Sequence, residues 1–154
     1  MDEFLFDKFF NSSLRFLSYR SRSEKEVRDN LLKKKAPQEI IESVITKLKE
    51  HKFLNDKEFA EWFIKSRTAS RPKAARIIKM ELKKKGISQE IIDDLPSTID
   101  DLDSAKKLIE KKFEKYKSLE KKEVYNKLGG FLARRGFDWD TIKKAIDEEI
   151  TKNS

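Results

Sequence analysis

The sequence predicts an all-α protein, and three observations carry that reading. Apolar residues recur at helical spacing, as in Ile41, Val44, Ile45 and Leu48, while no window sustains the period-two alternation of a strand. Glycine (4) and proline (3) are scarce in a chain of 154 residues, so sharp turns are few. Third, the segments LLKKKAPQEIIESVI (31–45), LKKKGISQEIIDDL (82–95) and LARRGFDWDTIKKAI (132–146) share one pattern: a leucine, a basic pair, a turn position, an apolar residue and a later isoleucine. Self-similarity at a spacing of roughly 50 residues signals stacked supersecondary units. The expected architecture is three tandem three-helix repeats, 1–54, 55–97 and 98–154, forming an elongated, curved helical stack.

The elements follow in order. Phe10, Leu14 and Leu17 form a stripe on a helix over 4–19. Ser23 and Glu26 have capping-box spacing and open a short helix to about 34. The Ile41–Leu48 stripe defines a third helix over 38–51. Asn55, with Glu58 three residues on, starts a helix to 67 that should bury Phe59, Trp62 and Phe63. Pro72 suits the first turn of a helix over 72–85, and Pro96 stops a shorter one over 88–95. Stripes of Ala105, Leu108, Ile109, Phe113 and Tyr116, of Val124, Leu128, Phe131 and Leu132, and of Ile142, Ala145, Ile146 and Ile150 mark helices over 100–117, 119–134 and 138–150. Gly129 and Gly130 lie inside the second of these, which suggests close packing or a local break. At each repeated turn a helix ends with cations in its last turn, where they favour the negative end of the helix dipole. Glycine then takes the left-handed position at Gly86 and Gly136. Lys35 occupies that place in the first copy, so its turn is either strained by about 1 kcal/mol or differently shaped.

Several function classes find little support. There is no cysteine, which excludes disulfides, thiolate metal sites and a cysteine nucleophile and fits a reducing cytoplasm. No apolar run approaches the ~20 residues of a membrane span, and the acidic, amphipathic start does not read as a signal peptide. The one histidine, His51, reads as a solvated helix-terminal residue. The carboxylates Asp93, Asp94, Asp100, Asp101 and Asp103 do not have calcium-loop spacing and suit helix starts. No enzyme, cofactor or metal is expected.

Charge is more informative. The formal net charge of +8 favours polyanionic partners. Residues 65–85 hold nine lysines and arginines and one acid, Glu81. On the helix expected there, Ala75, Ile78 and Leu82 form the apolar stripe, and Lys73, Arg76, Lys79 and Lys83 share the other side. Ile77 and Met80 point partly to that side, either to meet a neighbouring helix or to join a binding surface. With Lys65, Arg67, Arg71 and Lys84, and with Arg20, Arg22, Lys33, Lys34, Arg134, Arg135, Lys143 and Lys144 at the equivalent joints, these are the candidate contact residues. A spaced row of such cations suits phosphate affinity with little base specificity. Phe9, Phe10, Phe59, Trp62, Phe63, Phe113 and Phe131 read as core, whereas Tyr19, Phe137 and Trp139 lie near joints and Trp139 falls in a polar column of the repeat.

The segments RFLSYRSRSEKEVRDNL (15–31), KFLNDKEFAEWFIKSR (52–67), RPKAARIIKMELKKKGI (71–87) and LARRGFDWDTIKKAI (132–146) resemble, in order and spacing, the motifs of the bacterial regulatory protein RecX family, over about residues 14–148. Departures are Lys35 for a small residue, Arg71-Pro72 for Gly-Pro, and the Gly129-Gly130 pair. The resemblance implies three three-helix repeats that bind the RecA recombinase filament on single-stranded DNA in its helical groove. It implies modulation, mostly inhibition, of RecA ATPase, strand exchange and co-protease activity, so regulating recombinational DNA repair and the SOS response. It also implies weak DNA binding. Arg67, Arg76, Lys79, Lys83, Arg134 and Arg135 match basic motif positions. A cytoplasmic monomer is expected. Two other readings stand beside this one: a helix-turn-helix protein acting on operator or nonspecific DNA, and a helical scaffold for an acidic protein. The acids of helix 138–150 suit it poorly to approach phosphates.

Overall fold

Nine helices and no strand occupy the described residues, 1–95 and 99–153, of the computed structural model. The first, α1 (Glu3–Tyr19), is capped by Asp2, whose side chain accepts from the N–H groups of Phe4 and Leu5. The second, α2 (Glu24–Lys33), starts with the capping box that Ser23 and Glu26 predict. Next come α3 (Gln38–Glu50) and α4 (Asp56–Ala69), the latter capped by Asn55 and two residues longer than its apolar pattern suggests. The others are α5 (Ala75–Lys84), α6 (Gln89–Asp94), α7 (Asp101–Tyr116), α8 (Lys121–Arg134) and α9 (Trp139–Lys152). The expected stop at Pro96 lies outside the described residues. Ser88, Asp100 and Asp138 cap α6, α7 and α9, each accepting from the N–H three residues on.

The three repeated turns are Schellman motifs. The N–H of Ala36, Ile87 and Phe137 reaches back to the carbonyl of Leu31, Leu82 and Leu132 at 3.0, 3.1 and 3.3 Å. A second bond closes each turn, from Lys35 to Leu32, Gly86 to Lys83 and Gly136 to Ala133. The turn residues have φ of +63° (Lys35), +84° (Gly86) and +90° (Gly136). The first copy therefore has the same shape as the other two, and Lys35 bears the left-handed strain. Ala36, Ile87 and Phe137 are buried against the helix just ended, as the pattern requires.

The chain divides into two compact units. Unit 1 holds Met1–Phe63 and Leu82–Leu95. Its core joins Phe9 to Val27, Leu31, Ile40, Ile41, Val44, Ile45 and Leu48, with α1 and α2 packed on α3. Unit 2 holds Ile64–Glu81 and Pro96–Ser154, and its core joins Ala74 to Ala105, Ile109, Leu128, Leu132, Ile142 and Ile146. Each of these large side chains contributes about 1.5–3 kcal/mol when fully buried. The middle three-helix segment is thus shared out: the start of α4 and all of α6 belong to unit 1, the end of α4 and most of α5 to unit 2.

Four expectations need correction. Pro72 precedes α5, which begins only at Ala75, because the N–H groups of Ala74 and Ala75 are taken by Arg135 O (3.1 Å) and Asp101 Oδ1 (2.8 Å). Lys73 is therefore off the helix and not on its basic face. Trp62 is not core: it is 36% exposed, and the Arg20 guanidinium lies over its ring. Gly129 and Gly130 cause no break in α8. A methyl on Gly129 would meet Trp139 at 3.5 Å, an ordinary contact, so packing does not demand glycine there.

Candidate functional site

The candidate cations are best understood from two joints, one in each unit, where the start of a middle helix meets the segment that follows it. Both are built alike. In unit 1 the N–H of Glu24, at the head of α2, donates to Asp56 Oδ1 of α4 at 2.8 Å. In unit 2 the N–H of Ala75, at the head of α5, donates to Asp101 Oδ1 of α7 at 2.8 Å. A borrowed carboxylate thus satisfies an orphan donor at each helix start. A turn glycine lies against the same helix start. A methyl on Gly86 would come within 2.6 Å of Lys25 Cβ, and one on Gly136 within 2.3 Å of Ile77 Cγ1. Ile77 therefore meets a neighbouring turn, which settles the choice left open for it. Met80 remains half exposed.

The charges at the two joints differ. In the repeat register that aligns Leu31, Leu82 and Leu132, Arg20 corresponds to Arg71, Glu26 to Ile77, and Lys85 to Arg135. In unit 1 Glu26 is gripped by Arg20 through two bonds of 2.5 and 3.2 Å and approached by Lys85 at 3.4 Å. Burial works to raise the Glu26 carboxyl, but the Arg20 bond, the Ser23 N–H and the charges of Arg20 and Lys85 outweigh it and hold it below the usual range. Burial also pushes the Asp56 carboxyl up, against the opposing bond from the Glu24 N–H. Arg22 donates to Phe16 O at 3.2 Å and stacks on the Phe16 ring at 3.9 Å.

In unit 2 the Asp101 carboxylate is engaged by the Ala75 N–H, and among the described residues no carboxylate pairs with Arg71, Arg134 or Arg135. Arg135 stacks on Phe131, its guanidinium carbon 3.9 Å from the ring centroid, and Lys112 lies 4.0 Å from the same centroid. Arg76 donates from Nε to Gly136 O at 2.9 Å, tying α5 to the turn. Burial first, then the charges of Arg134 and Arg71, push the Arg135 guanidinium below the ordinary arginine range. Arg71, Arg134 and Arg135 therefore share one electrostatic neighbourhood, and among the described residues none of them, nor Arg76, is ion-paired. Arg71 has a φ of +50°, so this arginine is held in a costly backbone shape.

The remaining candidates are divided. Glu81, the lone acid of the 65–85 run, takes both Arg67 and Lys73 at 3.3 Å, so those two are largely spoken for. Lys34 donates to Ser12 Oγ. Lys33, Lys65, Lys79, Lys83, Lys84, Lys143 and Lys144 are exposed. Of the candidates, Arg71, Arg76, Arg134 and Arg135 are brought to the α8–α9 turn, and Arg20 and Arg22 lie together beside Glu26. Sequence reasoning missed Glu26, Asp56, Lys85, Asp101 and Lys112 as joint residues. For Glu26 and Lys85 the signal was available: the repeat alignment sets each beside its counterpart. Trp139 and Tyr19 are exposed, at 59% and 82%. Among the described residues no cluster of His, Cys, Asp and Glu suits a metal ion, and no helix is long and apolar enough to cross a membrane.

Comparison with known proteins agrees with the repeat. Residues 10–48, 55–95 and 99–146 match the first, second and third three-helix domains of RecX. The chain is 41% identical over 149 residues to the regulatory protein RecX of Bacillus velezensis, covering 95% of this chain and 57% of that one. It is 38% identical to that of Clostridium perfringens, covering 99% of this chain and 72% of that one. The chain thus spans a little over half the length of the Bacillus relative and nearly three quarters of the clostridial one. A crystal structure of RecX from Lactobacillus salivarius superposes with a TM-score of 0.80 at 30% identity, covering 96% of this chain and 97% of that one. With all three domains matched in order and the fold shared along nearly the whole chain, the protein belongs to the RecX family.

Proposed function

We propose that the protein regulates the RecA recombinase filament by binding it on single-stranded DNA, mostly inhibiting its ATPase, strand-exchange and co-protease activities. It thereby restrains recombinational DNA repair and the SOS response in the cytoplasm, acting as a monomer and without catalysis of its own. The match of all three RecX domains to relatives named regulatory proteins is the observation that carries this reading. The basic surface supports it, because a filament on DNA is a polyanionic track that rewards cations lacking internal partners. Weak DNA contact through the phosphate backbone belongs to the same reading.

The test is a titration of the cognate RecA's DNA-dependent ATPase. Substoichiometric protein lowers the rate, and no effect at molar excess overturns the proposal. Charge reversal then locates the contact. Lys79→Glu is the cleaner variant, since Lys79 is exposed and has no carboxylate partner among the described residues. Arg76→Glu also removes the bond to Gly136 O. Inhibition undiminished by both reversals rules out the α5 face and leaves the family role standing.

A further inference from the structure

The two joints pose a question of charge. In unit 1 the pair Arg20 and Lys85 closes on Glu26. In unit 2 the corresponding pair, Arg71 and Arg135, finds Ile77 in the glutamate's place, and Arg134 adds a third positive charge. Like charges this close repel, and solvent and salt compensate them only in part. Packing brings the segments together: the N–H of Ala74, three residues after Arg71, donates to Arg135 O at 3.1 Å, so the segment that carries Arg71 lies on the turn that carries Arg134 and Arg135. Phe131 holds Arg135 flat against its ring, the Pro72 ring limits the backbone after Arg71, and Arg134 closes the last turn of α8. Arg71 and Arg134 are exposed and, among the described residues, make no side-chain hydrogen bond or ion pair, so their N–H donors are open to an anion, and a guanidinium matches phosphate in a two-point geometry.

We propose that the α8–α9 turn of unit 2 carries a phosphate-binding site formed by Arg71, Arg134 and Arg135, in which an external phosphate group supplies the negative charge that Glu26 supplies in unit 1. The anion bridges the segment before α5 to the end of α8, so its binding tightens the joint. The site is independent of RecA: it requires only a phosphate oxygen, from a nucleic-acid backbone or from free phosphate.

The experiment uses the full chain with two probes, inorganic phosphate against chloride at matched ionic strength, and a short oligothymidylate without terminal phosphates. Phosphate raises the unfolding midpoint of the wild type, because a ligand that binds the folded state alone stabilises it. Arg71→Gln/Arg134→Gln weakens phosphate binding by on the order of tenfold or more, as expected when a bond to a charged group is lost. The control Lys121→Gln/Lys122→Gln, with the same change in charge, leaves it unaltered. The converse variant, Ile77→Glu, installs the missing acid and abolishes the phosphate response. Should it fail to fold, the arginine pair decides the matter alone, since both positions are exposed. A response to oligothymidylate whose salt slope drops by about 0.7 for each lost phosphate contact assigns the site to a nucleic-acid backbone. A response to inorganic phosphate alone assigns it to a free anion. The proposal is overturned if the wild type responds to neither probe, or if the arginine and lysine double variants respond alike.

Discussion

One joint of this protein closes around a glutamate and the other around an isoleucine, although the two are otherwise assembled from the same parts. Each has a borrowed aspartate at a helix head, a left-handed glycine pressed on that helix, and an arginine and a second cation at matching repeat positions. The difference separates two jobs. Geometry at the joint comes from the aspartate and the glycine, because both are present in each copy. Charge balance is set by a single position, Glu26 or Ile77, and can vary without altering the packing plan. The unit 1 joint is internally neutralised and reads as structural. In the unit 2 joint, Arg71, Arg134 and Arg135 have no ion pair among the described residues.

Replacing the turn glycines should produce the largest effect and tests whether the shared geometry matters equally in both. Gly136→Ala is expected to cost about 3 kcal/mol, the sum of left-handed strain and overpacking against a β-branched side chain. Gly86→Ala should cost about 2 kcal/mol, since the overlap at 2.6 Å is less deep than the 2.3 Å at Gly136, although it falls on the Lys25 Cβ, which is fixed to the α2 backbone and cannot swing aside. Urea unfolding of both variants reads this directly, and a reversed order would mean that Ile77 yields more readily than its packing implies.

The next contrast is electrostatic. Glu26→Gln should destabilise the protein by about 1 kcal/mol at neutral pH, a value kept low because Arg20 and Lys85 are partly solvated. The sign is fixed by linkage. The folded Glu26 carboxyl lies below its unfolded value, so its contribution is present above the ordinary glutamate range and is lost as pH falls through the folded value. Wild type and variant should therefore converge in stability only at a pH below the ordinary glutamate range, once the folded carboxyl is protonated. A gap that stays constant down to acid pH would show that packing, not ionisation, is what Glu26 contributes.

The smallest effect concerns a turn outside both joints. Lys35→Gly relieves the left-handed strain that the other two copies avoid, and should raise stability by up to about 1 kcal/mol. A loss would mean that the lysine stem or the stiffer unfolded chain outweighs the strain.

Much of this was legible in the residues because it is local. The caps at Ser23, Asn55 and Asp138, the Schellman turns after Leu31, Leu82 and Leu132, and the helical stripes all depend on partners within about five positions. The basic face of 65–85 was legible only in part. Glu81 draws in Arg67 and Lys73, and Lys73 leaves the helix because Ala74 and Ala75 find their acceptors in residues far along the chain. Trp62 has helical core spacing, yet lies under Arg20 at a partly open edge, since spacing reports a face and not what covers it.

By itself, then, the sequence determined an all-helical chain, its threefold repeat and the left-handed turn in each copy, because each follows from side chains acting on their own backbone. Tertiary structure alone decided which cations are paired with an acid, because that depends on contacts such as Lys85 with Glu26, 59 positions apart. Those distances are set by packing, and no local pattern encodes them.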